Sequence, residues 1–216
     1  MGTRFIFLGP PGAGKGTQAS VISQELNIPA IATGGIFRAA IAGSTKIGKQ
    51  IAQFVNSGML VPDKLTNAIV AERLQEKDCA KGFILDGYPR SLVQAKALDV
   101  NLQKSQRPLD KALYFKVEAA VVVERMGSRR VCSQCGQTYN LVSQPSKVEG
   151  ICDKCQGKLI TRADDTPDAI SKRLVVYEET TKPLLDYYTK KNVLEVLNAS
   201  LPVDTVTQQV RAVCAK

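Results

Sequence analysis

Apolar positions along the chain follow two alternating rhythms. Four short runs, "RFIFLG" (Arg4–Gly9), "GFILD" (Gly82–Asp86), "ALYFKV" (Ala112–Val117) and "VLEVLNA" (Val193–Ala199), read as buried parallel strands. Between them helical spacing takes over. Gly14–Asn27 sets Ala19, Ile22 and Leu26 near one stripe, and further helices are expected over Asp63–Lys77, Leu92–Leu98, Ala119–Arg125 and from Pro167 onward. The last has clear start signals: Asp165 or Thr166 as N-cap, Pro167 at the first helical position and Asp168 in the first turn. Pro183 should end or kink it. Strands alternating with helices predict an α/β fold in which helices cover both faces of a parallel sheet.

Two segments break the alternation. Residues 33–61 are helix-like throughout, with "GGIFRAAIAG" and "IGKQIAQFVNSG". Residues 128–165 hold glycines, polar residues and four paired cysteines, but no long apolar period. Such a piece buries little core of its own, so a metal would help it hold shape. Both read as insertions into a core made of residues 1–32, 62–127 and 166–216.

The length of 216 residues fits one sizeable domain carrying insertions. No apolar run approaches membrane-spanning length, and the apolar N-terminus breaks into glycine and proline, unlike a secretory signal. "MGTRFI" lacks the hydroxyl residue expected of an N-myristoylation site, and a cytoplasmic location is the expectation. The net charge of +9 invites a nucleic-acid reading, but the longest basic runs are pairs such as Arg129–Arg130. Small phosphorylated ligands are therefore favoured over a nucleic-acid backbone. The chain has no histidine, which excludes imidazole catalysis and leaves thiolates or carboxylates for any zinc.

"GPPGAGKGT" (Gly9–Thr17) carries the sharpest chemistry. It fits G-x-x-x-x-G-K between a strand and a helix, the setting of a phosphate-binding loop. Gly12, Ala13 and Gly14 would turn backbone N–H groups toward a phosphate, and Lys15 would add a full charge. Gly16 follows the lysine and the hydroxyl comes one later, on Thr17, which weakens the case for direct magnesium coordination by that side chain. Cys132-x-x-Cys135, sixteen residues, then Cys152-x-x-Cys155 has the spacing of a four-thiolate zinc ribbon. Two local disulfides, a redox pair or free thiols are the competing readings. Four protein ligands would leave no open position, which makes the zinc structural. Cys79 and Cys214 read as unpaired structural cysteines.

"GPPGAGKGTQA" resembles the nucleoside monophosphate kinases, and three further stretches narrow the likeness to the adenylate kinases, in their bacterial form with a zinc-binding lid. "ATGGIFRAA" looks like the family's monophosphate-binding stretch, "GFILDGYPRSLVQA" like its signature segment, and "GSRRVC" with "ITRADDTPDAISKRL" like its lid borders. The likeness runs from Arg4 to about Pro202. It implies a P-loop NTPase-type five-stranded parallel sheet, an AMP-binding insert over 33–61 and a lid over 128–165. The implied reaction is MgATP + AMP ⇌ 2 ADP in a monomer, with ATP, AMP and ADP as partners and neither nucleic acid nor membrane.

The resemblance also assigns roles. ATP would be held by Gly12, Ala13, Gly14, Lys15, Gly16 and Thr17 with Arg125 and Arg129, and AMP by Thr33, Gly34, Arg38, Leu60, Val61, Gly87, Arg90, Gln94, Arg162 and Arg173. Arg129, Arg162 and Arg173 would surround the transferring group, Arg38 and Arg90 would hold the AMP phosphate and Arg125 would lie against the ATP adenine. Lys15 and Arg90 would join the first three as catalytic residues, and Asp86 would order Mg²⁺ through water. Taken singly, each arginine reads as a solvated charge, Gln94 as a solvent-facing helix residue and Asp86 as a turn carboxylate. Two departures stand out: Gly35 replaces the family's usual aspartate, and "NASLP" differs from the usual glycine-containing adenine loop. Other classes stay open: a kinase acting on UMP or CMP, and a P-loop ATPase gripping nucleic acid with its ribbon. The latter is poorly served by a ribbon whose interior offers only Tyr139 and Lys147, and no guanine-reading Asn-Lys-x-Asp motif supports a GTPase switch.

Overall fold

The computed structural model describes residues 3–215; Met1, Gly2 and Lys216, the outer limits of the expected core, lie outside them. Five parallel strands form the central sheet: β1 (Arg4–Leu8), β2 (Ala30–Ala32), β3 (Phe83–Asp86), β4 (Lys111–Lys116) and β8 (Leu194–Asn198), in the order β2-β3-β1-β4-β8. β1 lies at the centre, paired with β3 and β4, and Phe5 to Leu8 are each at most 2 % exposed. Strand alternation splits them. Phe5 and Phe7 join Ile84, Leu113 and Phe115 on one face, under helices α1 (Lys15–Leu26) and α9 (Val203–Cys214). Ile6 and Leu8 join Ile31, Phe83 and Leu85 on the other, under α4 (Asp63–Arg73), α5 (Leu92–Lys104) and α8 (Leu184–Lys190). Each such side chain contributes about 1.5–3 kcal/mol, so the sheet forms a rigid floor.

Each break in the alternation has an apolar cluster of its own, the first of them shared with Leu65 and Ile69 of α4. Residues 33–56 form a helix pair, α2 (Thr33–Ala42) and α3 (Lys46–Asn56), around a small core of Phe37, Ile51 and Val61. Thr45 caps α3 through its side chain, accepting from Gly48 N–H at 2.9 Å. After α6 (Ala119–Gly127), β5 (Arg129–Cys132), β6 (Thr138–Asn140) and β7 (Leu159–Ile160) make an antiparallel sheet in the order β6-β5-β7. Its only apolar cluster among the described residues is Cys132, Tyr139, Cys152 and Leu159, with Cys155 beside it.

Several boundaries move. α5 runs on to Lys104, and α4 stops at Arg73 before a 3₁₀ turn over Lys77–Ala80. At the start of α7 (Pro167–Val176) the cap is Thr166, whose Oγ1 accepts Ala169 N–H at 3.3 Å; Asp165 is engaged elsewhere. The helical ladder breaks at Lys182–Pro183, as expected of the proline, and a separate helix, α8, starts at Leu184. A π-type turn over Tyr177–Thr181 widens the ladder just ahead of it, with Lys182 N–H reaching Tyr177 O at 2.9 Å.

Candidate active site

The chain leaves β1 at Gly9 and enters α1 at Lys15 through a loop whose left-handed positions are glycines. Gly12 and Gly14 adopt φ of 77° and 86°, and a Cβ on Gly12 would stand 2.9 Å from Met126 Cγ. The start of α1 has no side-chain cap and no acidic residue in its first turn, so the helix's partial positive charge is uncompensated from within. Lys15 Nζ donates to Gly9 O at 2.8 Å and Pro10 O at 2.7 Å. Burial pushes its ammonium down to about 8; Asp86 resists, while Arg90, Arg173 and Arg129 add to the fall. Asp86 ends β3, with Oδ2 only 3.2 Å from where a Gly16 Cβ would be. A side chain directly after Lys15 would crowd that carboxylate by a few tenths of an ångström.

The loop opens into a cleft of about 940 Å³, and Arg38, Arg90, Arg125, Arg129, Arg162 and Arg173 all line it. They come from α2, the turn after β3, α6, β5, the approach to α7, and α7 itself. Two buried carboxylates hold three of them. Asp165 takes a two-point ion pair from Arg129 and a contact from Arg173 Nη1 at 3.1 Å. Asp164 takes Arg162 Nε at 2.9 Å and Nη2 at 2.6 Å, and Arg173 Nη1 at 3.2 Å, with Arg38 at 3.9 Å. Burial works against the Asp164 charge, but the Arg162 bonds and the charges of Arg162, Arg173 and Arg38 bring its carboxyl down to about 2. Arg38 and Arg173 are pushed down to about 10, chiefly by burial, with neighbouring guanidinia adding repulsion.

Beside the cleft a narrower pocket of about 60 Å³ is lined by Thr33, Gly34, Arg38, Leu60, Val61, Gly87, Arg90, Gln94 and Arg173. Thr33 Oγ1 donates to Gly87 O at 2.8 Å, and Arg90 Nε donates to the same carbonyl at 2.8 Å. Gln94 is 2 % exposed; its Oε1 accepts Arg90 N–H at 2.7 Å and its Nε2 donates to Asp63 Oδ1 at 2.7 Å. One N–H and one lone pair of the amide stay available, enough for one donor–acceptor edge. The Val61 carbonyl already accepts Thr66 Oγ1 at 3.3 Å.

In the lid segment the four cysteine Sγ atoms lie within 4.8 Å of one another, with Cys132–Cys155 at 3.3 Å and Cys135–Cys152 at 3.6 Å. Tetrahedral zinc with Zn–S of about 2.3 Å sets sulfurs about 3.8 Å apart, so the cluster fits that ion. The two C-x-x-C turns are built alike. Gly136 N–H reaches Cys132 O at 3.1 Å and Gln156 N–H reaches Cys152 O at 2.9 Å, with Gly136 and Gln156 both left-handed. Against the cost of burial, the Tyr139 hydroxyl and the N–H groups of Cys155 and Lys154 draw the Cys152 thiol down to about 6, which favours the ligating thiolate.

The family model described as adenylate kinase matches residues 7–193. The chain belongs to the adenylate kinase family. It is 55 % identical over 201 residues to the adenylate kinase of Fervidobacterium nodosum, covering 93 % of this chain and 92 % of that protein. It is 49 % identical over 205 residues to that of Thermosipho africanus (95 % and 96 % covered), and 45 % identical over 209 residues to that of Clostridioides difficile (97 % of each).

Within this adenylate kinase fold, every arginine, P-loop residue and acceptor-pocket residue expected from the sequence lines one of the two adjoining spaces. The roles of Asp164 and Asp63 went unread, and Asp165, expected as an N-cap candidate, instead takes Arg129 and Arg173. An acidic pair ahead of Thr-Pro reads as helix-start charge. Thr138, Tyr139 and Asn140 also face the cleft, as do Ala199 to Val203, whose Ala199 carbonyl accepts Arg125 Nη1 at 2.8 Å. Gly35 lines the cleft, and a Cβ there would meet only Ala32 Cβ at 3.6 Å, so space for the family's aspartate exists although the residue is absent.

Proposed function

We propose that the protein moves the terminal phosphoryl group of MgATP to AMP, giving two ADP, by in-line displacement without a phosphoenzyme. The observation that carries this is the convergence of Lys15 and six arginines on one cleft that joins a P-loop to a second, guanidinium-lined pocket. In this reading a phosphate oxygen of AMP attacks the terminal phosphorus, and the bond to the bridging oxygen breaks in the same event. No protein nucleophile is needed; positioning and charge stabilisation suffice.

The donor phosphates would sit on Gly12–Thr17 with Lys15, and the donor adenine against Arg125 near Ala199. Thr33, Gly34, Leu60, Val61, Gly87 and Gln94 would hold the acceptor nucleoside, with Arg38 and Arg90 on its phosphate. Arg129, Arg162 and Arg173 would meet the transferring group, their directions fixed by Asp164 and Asp165. Pre-oriented guanidinia cost little reorganisation as charge shifts in the transition state. Magnesium, when bound with ATP, neutralises phosphate charge, and Asp86 beside the start of α1 is the carboxylate suited to ordering its waters.

The core would comprise 1–32, 62–127 and 166–216, with the acceptor insert over 33–61 and the lid over 128–165. Closure of both covers would exclude water and limit hydrolysis. Cys132, Cys135, Cys152 and Cys155 would hold zinc as a structural ion, with no part in the chemistry. No helix of the described residues is long and apolar enough to cross a membrane. A coupled assay offering ATP with AMP, UMP, CMP and GMP in turn tests the reading. AMP should lead by well over tenfold in kcat/KM, because Gln94 presents one donor and one acceptor to a base edge. Equal rates with a pyrimidine monophosphate would reject AMP as the acceptor.

A further inference from the structure

Strand β6 has only three residues, and two consecutive ones face different centres. Tyr139 is 6 % exposed and packs with Cys132, Cys152 and Leu159. Its hydroxyl oxygen accepts Asp153 N–H at 2.8 Å, which leaves its proton for Cys152 Sγ at 3.4 Å. Asn140 reaches the other way. Its Nδ2 donates to Arg125 O at 3.1 Å, while its Oδ1 accepts the N–H groups of Val142 and Ser143, each at 2.9 Å. Arg125 continues the chain of contacts to Ala199 O, and Tyr139, Asn140, Arg125 and Ala199 all line the large cleft.

We propose that Tyr139 and Asn140 couple the metal centre to the donor-nucleotide site, so that metal retention and ATP binding strengthen one another. A hydroxyl donated to a ligating sulfur fixes its direction and spreads its charge, as outer-shell partners of metal sites do. Tyr139 ties the Cys152 sulfur to β6, so losing Cys152 from the metal would disturb β6, and Asn140 ties that disturbance to the backbone of Arg125. A nucleotide that pins Arg125 therefore suppresses the same motion, and a loaded lid binds that nucleotide more tightly by thermodynamic reciprocity. The inference rests on the assignment of Arg125 to the ATP adenine.

The experiment follows zinc passing from the loaded, full-length protein to a chromogenic chelator, with and without a non-hydrolysable ATP analogue. The analogue should slow release several-fold in the unaltered chain. Tyr139→Phe keeps the ring and loses the hydroxyl; without nucleotide it should release zinc about tenfold faster or more. Its cobalt-substituted form should show a shifted thiolate-to-metal band. Asn140→Asp keeps the acceptor for Val142 and Ser143 and loses the donor to Arg125. It should release zinc at the parental rate without nucleotide yet lose most of the protection by the analogue. Asn140→Ala, which adds no charge, should lose that protection too. Parental release and cobalt spectrum in Tyr139→Phe would overturn the proposal, as would full protection in both Asn140 variants. An analogue that fails to bind by calorimetry would overturn the donor-site reading and the proposal with it. One that binds and leaves release unaltered would overturn the coupling alone.

Discussion

Replacing Asp164 by asparagine is the most direct probe of the arginine cluster. The side chain is 8 % exposed, and its carboxylate meets Arg162 and Arg173 with Arg38 nearby. Its pKa falls from the ordinary 3.8 to about 2, which at ~1.4 kcal/mol per pH unit corresponds to about 2.5 kcal/mol of stability from the ionised form. In a chain of this size each kcal/mol moves Tm by about 2–4 °C, so Asp164→Asn should melt about 5–10 °C lower at pH 7. Asparagine preserves shape and one acceptor oxygen, so the loss is electrostatic and not steric.

The sign of the pH dependence follows from linkage. A carboxyl with a depressed folded pKa stabilises fully above its unfolded value and loses that contribution as pH falls through the folded one. Circular-dichroism melts of the two proteins should therefore differ by a constant amount from pH 7 to about pH 5, and the gap should narrow below pH 4. A polyphosphate ligand should raise the Tm of the variant more than that of the parent, because it supplies anionic charge the cluster then lacks. A gap that stays unchanged down to pH 3, or a variant more stable at pH 7, would refute the claim that Asp164 holds the guanidinia by charge.

Lys15, brought to about 8 by burial and nearby arginines, should make kcat/KM for ATP fall on the alkaline side with an apparent pKa near that value; a flat profile to pH 10 would count against it. Lys15→Met should fold and lose transfer by at least about a hundredfold in the same coupled assay. Cys152→Ser should weaken zinc binding, measured by metal analysis after dialysis, and lose activity early on heating while retaining transfer at low temperature. Binding to single-stranded DNA or RNA at physiological salt should be weak in a fluorescence titration; tight, steeply salt-dependent binding would show that the +9 charge serves nucleic acid.

What could be read from the chain divides by range. The P-loop and the cysteine pairs are local devices, in which spacing along the chain sets geometry, and both formed as spaced. β1, β3 and β4 were legible because burial leaves short apolar runs, and the edge strand β8 because Leu194, Val196 and Leu197 keep it apolar although only Leu197 is buried. β2 was not: with three residues and only Ile31 buried, it carries no pattern of its own and is held by register against β3. α9 carries Val206, Val210 and Val213 on one stripe, an amphipathic signal present in the sequence and not used. The arginines are a different case. Nothing in their spacing distinguishes Arg162 from a surface charge, so only likeness to a family could select them before the fold brought them together.

The same limit explains why Asp165 reads as a cap candidate, since the Arg129 it holds lies 36 residues away and only the fold brings the two together. The two spaces present Lys15 and six arginines against Asp86 and Asp164, with Asp165 buried behind, an excess of about four positive charges. In the proposed ternary complex MgATP and AMP carry about four negative charges, a terminal phosphate monoester being near minus two. The site is thus close to neutral only with both nucleotides present. With fewer carboxylates, mutual repulsion would splay the guanidinia apart; with more, internal ion pairs would compete with phosphate. Two buried aspartates on one short turn fix three arginines from three elements while leaving the net charge to be matched by substrate.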